Sequence, residues 1–396
     1  MGANVIKRVR RFAAVSRSRV LWCALALVIA PCASAQEATS ADAPDQQRVP
    51  PMQPPAPAGR LTLRAPSGEL SGSWTPLGPA PVDQAGSGRR GYVIAGESSD
   101  VVAAGSNQWS IHTVAANDFY NEQNTEFLIT KRYEAHTFAL EYRRGFKLQK
   151  FPRFELGAQV QLHESDSGML NGFILGLESF WTSVTGYRQS TNELRGSGAT
   201  PPPLGTRIVR NGATIYREDG GGSGIGDFYA VAKMAVVDAD PSSKVPRVSA
   251  RLAMNVAGSS PFTEGNLVGA GLSLDHKWTE WVAFHGDLRA ARALDQTSVW
   301  SLPLRRWTYA FSAGPEFRLP KNSSLNLQID GSSTPYWPTG TLAFDKGYGA
   351  ITFGLGHRFA RHVTAQLYLR ENMNLPFKVR WNTDPDLSVG LKVRIY

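Results

Sequence analysis

From residue 107 to the end, apolar and polar positions alternate in twelve runs: 107–118, 134–145, 153–163, 226–237, 245–256, 266–277, 280–291, 305–318, 322–331, 347–358, 362–371 and 386–396. Period-two alternation gives each run one greasy and one wet face, the signature of a strand. Leu156, Ala158, Val160 and Leu162 oppose Gln159, Gln161 and His163, and Val248, Ala250, Leu252 and Met254 oppose Arg247, Ser249, Arg251 and Asn255. Most runs have the roughly 9 to 11 residues a tilted strand needs to cross a hydrocarbon layer. The pattern predicts an all-β fold, a transmembrane up-and-down antiparallel barrel of about twelve strands.

The links agree, because they alternate between short and long. Short ones fall at 146–152, 238–244, 278–279, 319–321 and 359–361, and the longer ones include 164–225. The short links are expected in the periplasm and the long ones outside. Aromatics mark both rims: Phe151, Phe154, Trp278, Trp281, Phe317 and Phe359 at the turn side, and Trp300, Trp307, Tyr309, Tyr336, Trp337 and Tyr348 at the loop side. Two such girdles are what interfacial anchoring produces. A soluble sandwich or lipocalin-like barrel would not need an outward apolar face through so many strands.

Upstream of the barrel the character changes twice. Lys7, Arg8, Arg10, Arg11, Arg17 and Arg19 precede an apolar core from Val20 to Ala30 and the small-residue site Ala33-Ser34-Ala35, which together read as a cleaved secretory signal over residues 1–35. Residues 36–90 are rich in Pro, Ala, Gln, Ser and Gly, a composition that predicts an extended, disordered periplasmic segment. The barrel domain is then 91–396, in the outer membrane of a Gram-negative cell.

Signal removal also changes the charge. The whole chain carries +9, but the six basic residues of the signal leave 36 basic against 33 acidic residues, a balance of +3. That excludes an electrostatic case for nucleic acid. Cleavage removes both cysteines, Cys23 and Cys32, so the mature chain has no thiol for disulfides or thiolate metal sites. No His, Asp and Glu set has metal spacing, and no cofactor is expected. The expected partners are outer-membrane lipid and lipopolysaccharide along the outward face. The barrel-assembly machinery is expected to read the last strand, whose apolar parity ends on Ile395 and leaves Tyr396 one step out of phase.

Several segments in order resemble proteobacterial outer-membrane proteins of a domain-of-unknown-function type. They are Asn107 to Tyr120 (NQWSIHTVAANDFY), Ser167 to Phe180 (SGMLNGFILGLESF), the Gly-rich stretch Ser223-Gly224-Ile225-Gly226-Asp227 and the closing Val389-Gly390-Leu391-Lys392-Val393-Arg394-Ile395. The resemblance spans roughly residues 76–396 and implies a barrel without an assigned activity.

Two functional readings follow from the residues. The polar parity places both signs of charge inside, with basic residues in excess. Arg247, Arg251, Arg318, Arg358 and Arg370 are the candidates to line a passive, anion-preferring channel, unless the charges pair across the barrel and close it. The alternative is an outer-membrane lipid hydrolase of phospholipase or lipid A deacylase type, with His163 and Ser165 at the outer end of the third run as base and nucleophile. His112 and His285 read as members of a polar lumen network. In the long 164–225 link, Phe173, Ile174, Leu177, Phe180 and Trp181 form one stripe of a short helix, and Asn211-Gly212 between two short runs predicts a hairpin.

Overall fold

The computed structural model describes residues 74–81, 94–149, 152–166, 205–219, 222–241, 243–259, 263, 265–298, 300–345, 347–372 and 387–396. The chain divides into two units, Met1–Leu63 and Arg64–Tyr396, and the described residues all belong to the second. It contains β1 (Asn107–Gln123), β2 (Phe127–Phe146), β3 (Phe154–Asp166), β4 (Gly205–Arg210), β5 (Ala213–Asp219), β6 (Ser223–Val237), β7 (Arg247–Val256), β8 (Leu267–Lys277), β9 (Val282–Ala293), β10 (Trp307–Leu319), β11 (Ser323–Ser332), the one-turn helix α1 (Leu342–Asp345), β12 (Tyr348–Ala360), β13 (Val363–Asn372) and β14 (Leu387–Ile395).

Twelve of these strands close into an antiparallel barrel. Neighbours run β1-β14-β13-β12-β11-β10-β9-β8-β7-β6-β3-β2, and β1 pairs with β2 to complete the ring. At the seam Trp109 faces Ile395 on one side and Tyr142 on the other. Tyr396 extends the last ladder, its N–H donating to the His362 carbonyl at 2.9 Å. The remaining pair, β4 and β5, is the hairpin expected around Asn211-Gly212, and β4 adds to the far end of β2 through Phe127–Arg132. Asn211 and Gly212 have φ of 49° and 79°, the left-handed pair that a two-residue hairpin turn requires. The expected helix at Phe173–Trp181 lies outside the described residues.

Burial is inverted relative to a soluble protein. Leu252 is 68 % exposed while its neighbour Arg251 is 3 % exposed, and the same alternation repeats around the ring. Leu156, Leu272, Leu288, Phe353 and Leu355 point out, and Glu155, Ser273, Asp287 and Thr352 point in. This is the arrangement of a transmembrane barrel of outer-membrane type. Trp278, Trp281 and Phe359 are exposed at the short-turn rim, and Trp307, Tyr309 and Trp337 at the long-loop rim. Trp300 and Tyr336, expected in that second girdle, are instead buried, because the loops that carry them fold inward.

The links keep the short and long alternation, which fixes a topological expectation. A tag inserted near Ser333, in the β11–β12 link, should be reached by antibody on intact cells; tags at Asp240 and Lys321, in short turns, should be reached only after permeabilisation. Labelling of Asp240 on intact cells would reverse the orientation.

Candidate functional site: the plugged lumen

The lumen is filled by the chain's own N-terminal segment. Residues 94–103 lie along the inner wall as a descending arm that meets β1 at the short-turn end, where Gly105 donates to the Gly145 carbonyl at 2.9 Å. Ile94, Ser99, Val101 and Val102 are buried. Residues 74–81 form a second arm, with Trp74, Leu77 and Ala80 buried. Sequence composition placed 74–81 in the periplasmic segment that ends at residue 90. The structure moves them into the barrel, because their backbone polar groups find partners on the polar wall, which composition does not register.

Each arm is seated by carboxylates. On the descending arm, Glu97 accepts from Arg143 Nη1 and Nη2 at 2.8 and 2.7 Å and from Lys233 Nζ at 3.3 Å. Asp100 pairs with Arg247. Wall carboxylates return the contact: Glu155 accepts from the Val102 N–H at 2.6 Å, and Asp275 accepts from the Ser99 N–H and hydroxyl at 2.7 and 2.6 Å. On the other arm, Glu316 accepts from the N–H groups of Leu77 and Gly78 at 2.9 and 3.1 Å. The Gly78 carbonyl takes hydrogen bonds from Asn326 and Gln366, and Arg394 donates to the Leu77 carbonyl. Gly78 has φ of +90°, and a side chain there would press on Ser98 of the descending arm, so glycine serves both the turn and the close approach. His285 joins the two seats, its Nδ1 2.6 Å from Asp275 and its Nε2 2.8 Å from Glu316.

At the long-loop end, along β6–β9, an aromatic cap closes over the top of the descending arm. Trp300, Tyr336 and Phe344 pack with ring centroids 5.1 to 6.2 Å apart, joined by Ile208, Leu302 and Leu304, and the arm's Ile94 belongs to the same cluster. Lys131 Nζ lies 4.9 Å from the Trp300 ring centre. On the appended hairpin, burial lifts the Glu218 carboxyl to about 7, against the opposing pull of Lys131 and a hydrogen bond with Tyr216.

The five arginines nominated from sequence divide into two groups. Arg247, Arg251 and Arg370 are buried in the lumen. Arg247 pairs with Asp100 and lies 3.5 Å from Asp275; Arg251 holds both oxygens of Asp287 at 2.7 and 3.0 Å and donates to the Ala95 carbonyl at 2.8 Å. Arg318 and Arg358 sit half-buried at the short-turn rim. Arg318 turns over the exposed Trp281 ring at 5.4 Å, and Arg358 stands beside the bulge that ends β12.

His163 and Ser165 share a face, but it is the inner one. Both are buried; His163 Nε2 lies 3.1 Å from Gln161 Oε1, and Ser165 Oγ accepts from the Gly222 N–H at 3.2 Å. On the opposite parity stand Leu162, half exposed, before His163, and the partly buried Glu164 between the two. Neither side chain is presented on the lipid-facing side of the strand. Among the described residues no group of His, Cys, Asp and Glu has the arrangement of a metal site.

Glu97, Asp100 and Asp275 are the functional residues that sequence reading missed. A signal existed for the first two: the inward parity carried more bases than acids, and Glu97 and Asp100 are the carboxylates immediately upstream of β1.

No family model matches the chain, and no curated protein matches it either, so the unknown-function family finds no support there. Among solved structures, the chain is similar to an outer-membrane channel from Pseudomonas putida F1 at 9 % identity, covering 75 % of this chain and 97 % of that one, with a TM-score of 0.46. The NanC porin matches at 8 % identity over 73 % of this chain and 99 % of its own, TM-score 0.39. The transport unit of the autotransporter AIDA-I from Escherichia coli matches at 7 % identity over 74 % and 89 %, TM-score 0.40.

Proposed function

We propose that this protein is an outer-membrane channel held shut by its own N-terminal segment, and that ions pass when residues 74–81 and 94–103 leave the wall. The observation that carries this reading is the chemistry of the seat. The arms are held by ion pairs and hydrogen bonds from side chains such as Glu155, Arg143, Lys233, Asp275 and Glu316. Water can replace such contacts, because folding exchanges protein–water for protein–protein hydrogen bonds and nets only about 1.5–3 kcal/mol per bond to a charged group. A wall that is polar under its plug stays soluble once the plug has gone. Twelve strands leave room for a modest aqueous path between filled eight-strand barrels and open porins. The base excess expected from sequence belongs to the unplugged state, since Glu97 and Asp100 compensate it in the closed one.

The test is a disulfide lock. A Cβ at Gly354 would stand 3.4 Å from Ala80 Cβ, close to the roughly 3.5–4.5 Å that a disulfide spans. The mature chain has no other cysteine once the signal is cleaved. Ala80→Cys with Gly354→Cys should give a barrel silent in a planar bilayer when oxidised and conducting after reduction. Equal conductance in both states would remove the plug from the mechanism. Silence at every voltage, reduced and oxidised, would leave a closed barrel of paired charges.

A further inference from the structure

One buried arginine lacks what its neighbours have. A polar belt runs across the inner wall from β7 to β13. Arg251 is held by Asp287, and Arg289 Nε lies 3.0 Å from the same carboxylate while its Nη2 donates to Ser312 at 2.6 Å. Asp330 accepts from Thr352 Oγ1 at 2.9 Å and from Gln328 Nε2 at 2.7 Å. The belt ends at Arg370. Its Nε stands 3.9 Å from Asp330 Oδ2, beyond hydrogen-bond distance; the Nε atoms of Arg251 and Arg289 are also buried without a partner, but those two side chains are held through their other nitrogens, and Arg370 makes no hydrogen bond among the described residues. The side chain is 3 % exposed, and its guanidinium lies 4.7 Å from the Tyr348 ring centre. In register beside it stand only the short side chains of Thr352 and Ser388.

A guanidinium carries five N–H donors and no acceptor, and it stays charged. Buried donors of this kind are normally matched, and one that is not calls for an unseen partner. Among the described residues the nearest acceptor is Asp330, whose two oxygens each take a bond from elsewhere and which stands too far from Nε to bond it here. Gln328 Oε1, one strand beyond Thr352, is also buried without a partner and would accept from a hydroxyl on the incoming group.

We propose that Arg370 is the anchor of a binding site for a small oxyanion, a carboxylate or a phosphate. Tyr348 covers the face of the guanidinium, which leaves the planar N–H edge to grip two oxygens at once. Arg370 lies on the inner parity of β13, with Thr352 and Ser388 and not with the lipid-facing Leu367, so the proposed ligand is a free anion and not a lipid headgroup. The site stands whether or not the lumen conducts, because a resident anion would satisfy Arg370 in a closed barrel as well.

The experiment measures binding rather than current. The mature protein is refolded with sodium phosphate, sodium acetate or sodium chloride at one ionic strength, so that closure of the lumen does not exclude the probe, and its thermal midpoint is followed against probe concentration. A saturable rise with phosphate or acetate over chloride is expected, with the better of the two naming the class. Arg370→Gln should weaken it about tenfold or more, and Arg370→Lys, which keeps the charge but not the two-pronged grip, should fall between. Arg153→Gln, at an exposed turn pair with Asp238, should leave it unchanged. Should Arg370→Gln not refold, the Lys variant decides alone. A rise that survives Arg370→Lys undiminished, or no saturable rise with either oxyanion, overturns the site and leaves Arg370 to water.

Discussion

Protein carrying Glu97→Gln and Glu316→Gln should open in a planar bilayer far more often than the unmodified chain. The two residues hold different arms: Glu97 anchors residues 94–103 through Arg143 and Lys233, and Glu316 anchors residues 74–81 through the Leu77 and Gly78 N–H groups. Glutamine keeps the volume and loses the charge, so the Glu316 seat falls from charge-assisted to neutral hydrogen bonds and the Glu97 seat from ion pairs to hydrogen bonds charged on the donor side alone. Hydrogen bonds to charged groups contribute about 1.5–3 kcal/mol against roughly 0.5–1.5 for neutral ones. The barrel itself should lose less than the seat does, because Arg143 retains Glu141 and Glu155 when Glu97 is neutralised. Summed over both arms, a shift of about 2–4 kcal/mol toward the unplugged state corresponds to roughly 30- to 700-fold more opening. The measure is open probability at fixed voltage, with circular dichroism reporting that the barrel is intact. Unchanged open probability in an intact barrel would mean that these carboxylates do not hold the gate.

The strands were legible because a membrane barrel writes its fold in parity. Val248, Ala250, Leu252 and Met254 must face lipid and Arg247, Ser249, Arg251 and Asn255 must not, so a one-residue slip would be costly and the pattern stays clean. All twelve strands and the Asn211-Gly212 hairpin follow from that rule and from turn chemistry. The plug obeys no such rule. Residues 74–81 and 94–103 make their hydrogen bonds with side chains of the wall and not with a neighbouring strand, so no periodicity is imposed on them. The proline-rich surroundings of 74–81 read as tail, and for 94–103, inside the barrel domain but outside its strands, only the deficit of inward carboxylates hinted that Glu97 and Asp100 lie in the lumen. The cap failed to read for a related reason. Trp300 and Tyr336 have the residue type of a rim girdle, and sequence cannot tell an aromatic turned out to lipid from one folded in over the mouth.

The division of the five arginines into three buried and two at the rim changes which substitution tests selectivity. Reversing Arg251 would set a glutamate against Asp287 with both groups buried and strand the carboxylate that Arg251 now neutralises, a loss of about 3–5 kcal/mol. Arg251→Glu should therefore be seen as missing folded barrel and say nothing about ions. Arg318 and Arg358 are different, because they stand half-exposed at the short-turn mouth, where ion pairing is worth at most about 1 kcal/mol. Their reversal together, Arg318→Glu with Arg358→Glu, should leave the fold in place and change the sign of the local field that ions meet on arrival. On the background with Glu97→Gln and Glu316→Gln, the unreversed mouth should favour chloride over potassium in a salt gradient. The reversed one should lose or invert that preference. The difference should shrink as salt rises, since screening shortens the reach of such charges from about 10 Å at 0.1 M to about 3 Å at 1 M. A reversal potential that ignores both substitutions at low salt would place the selectivity, if any, deeper in the lumen than the mouth.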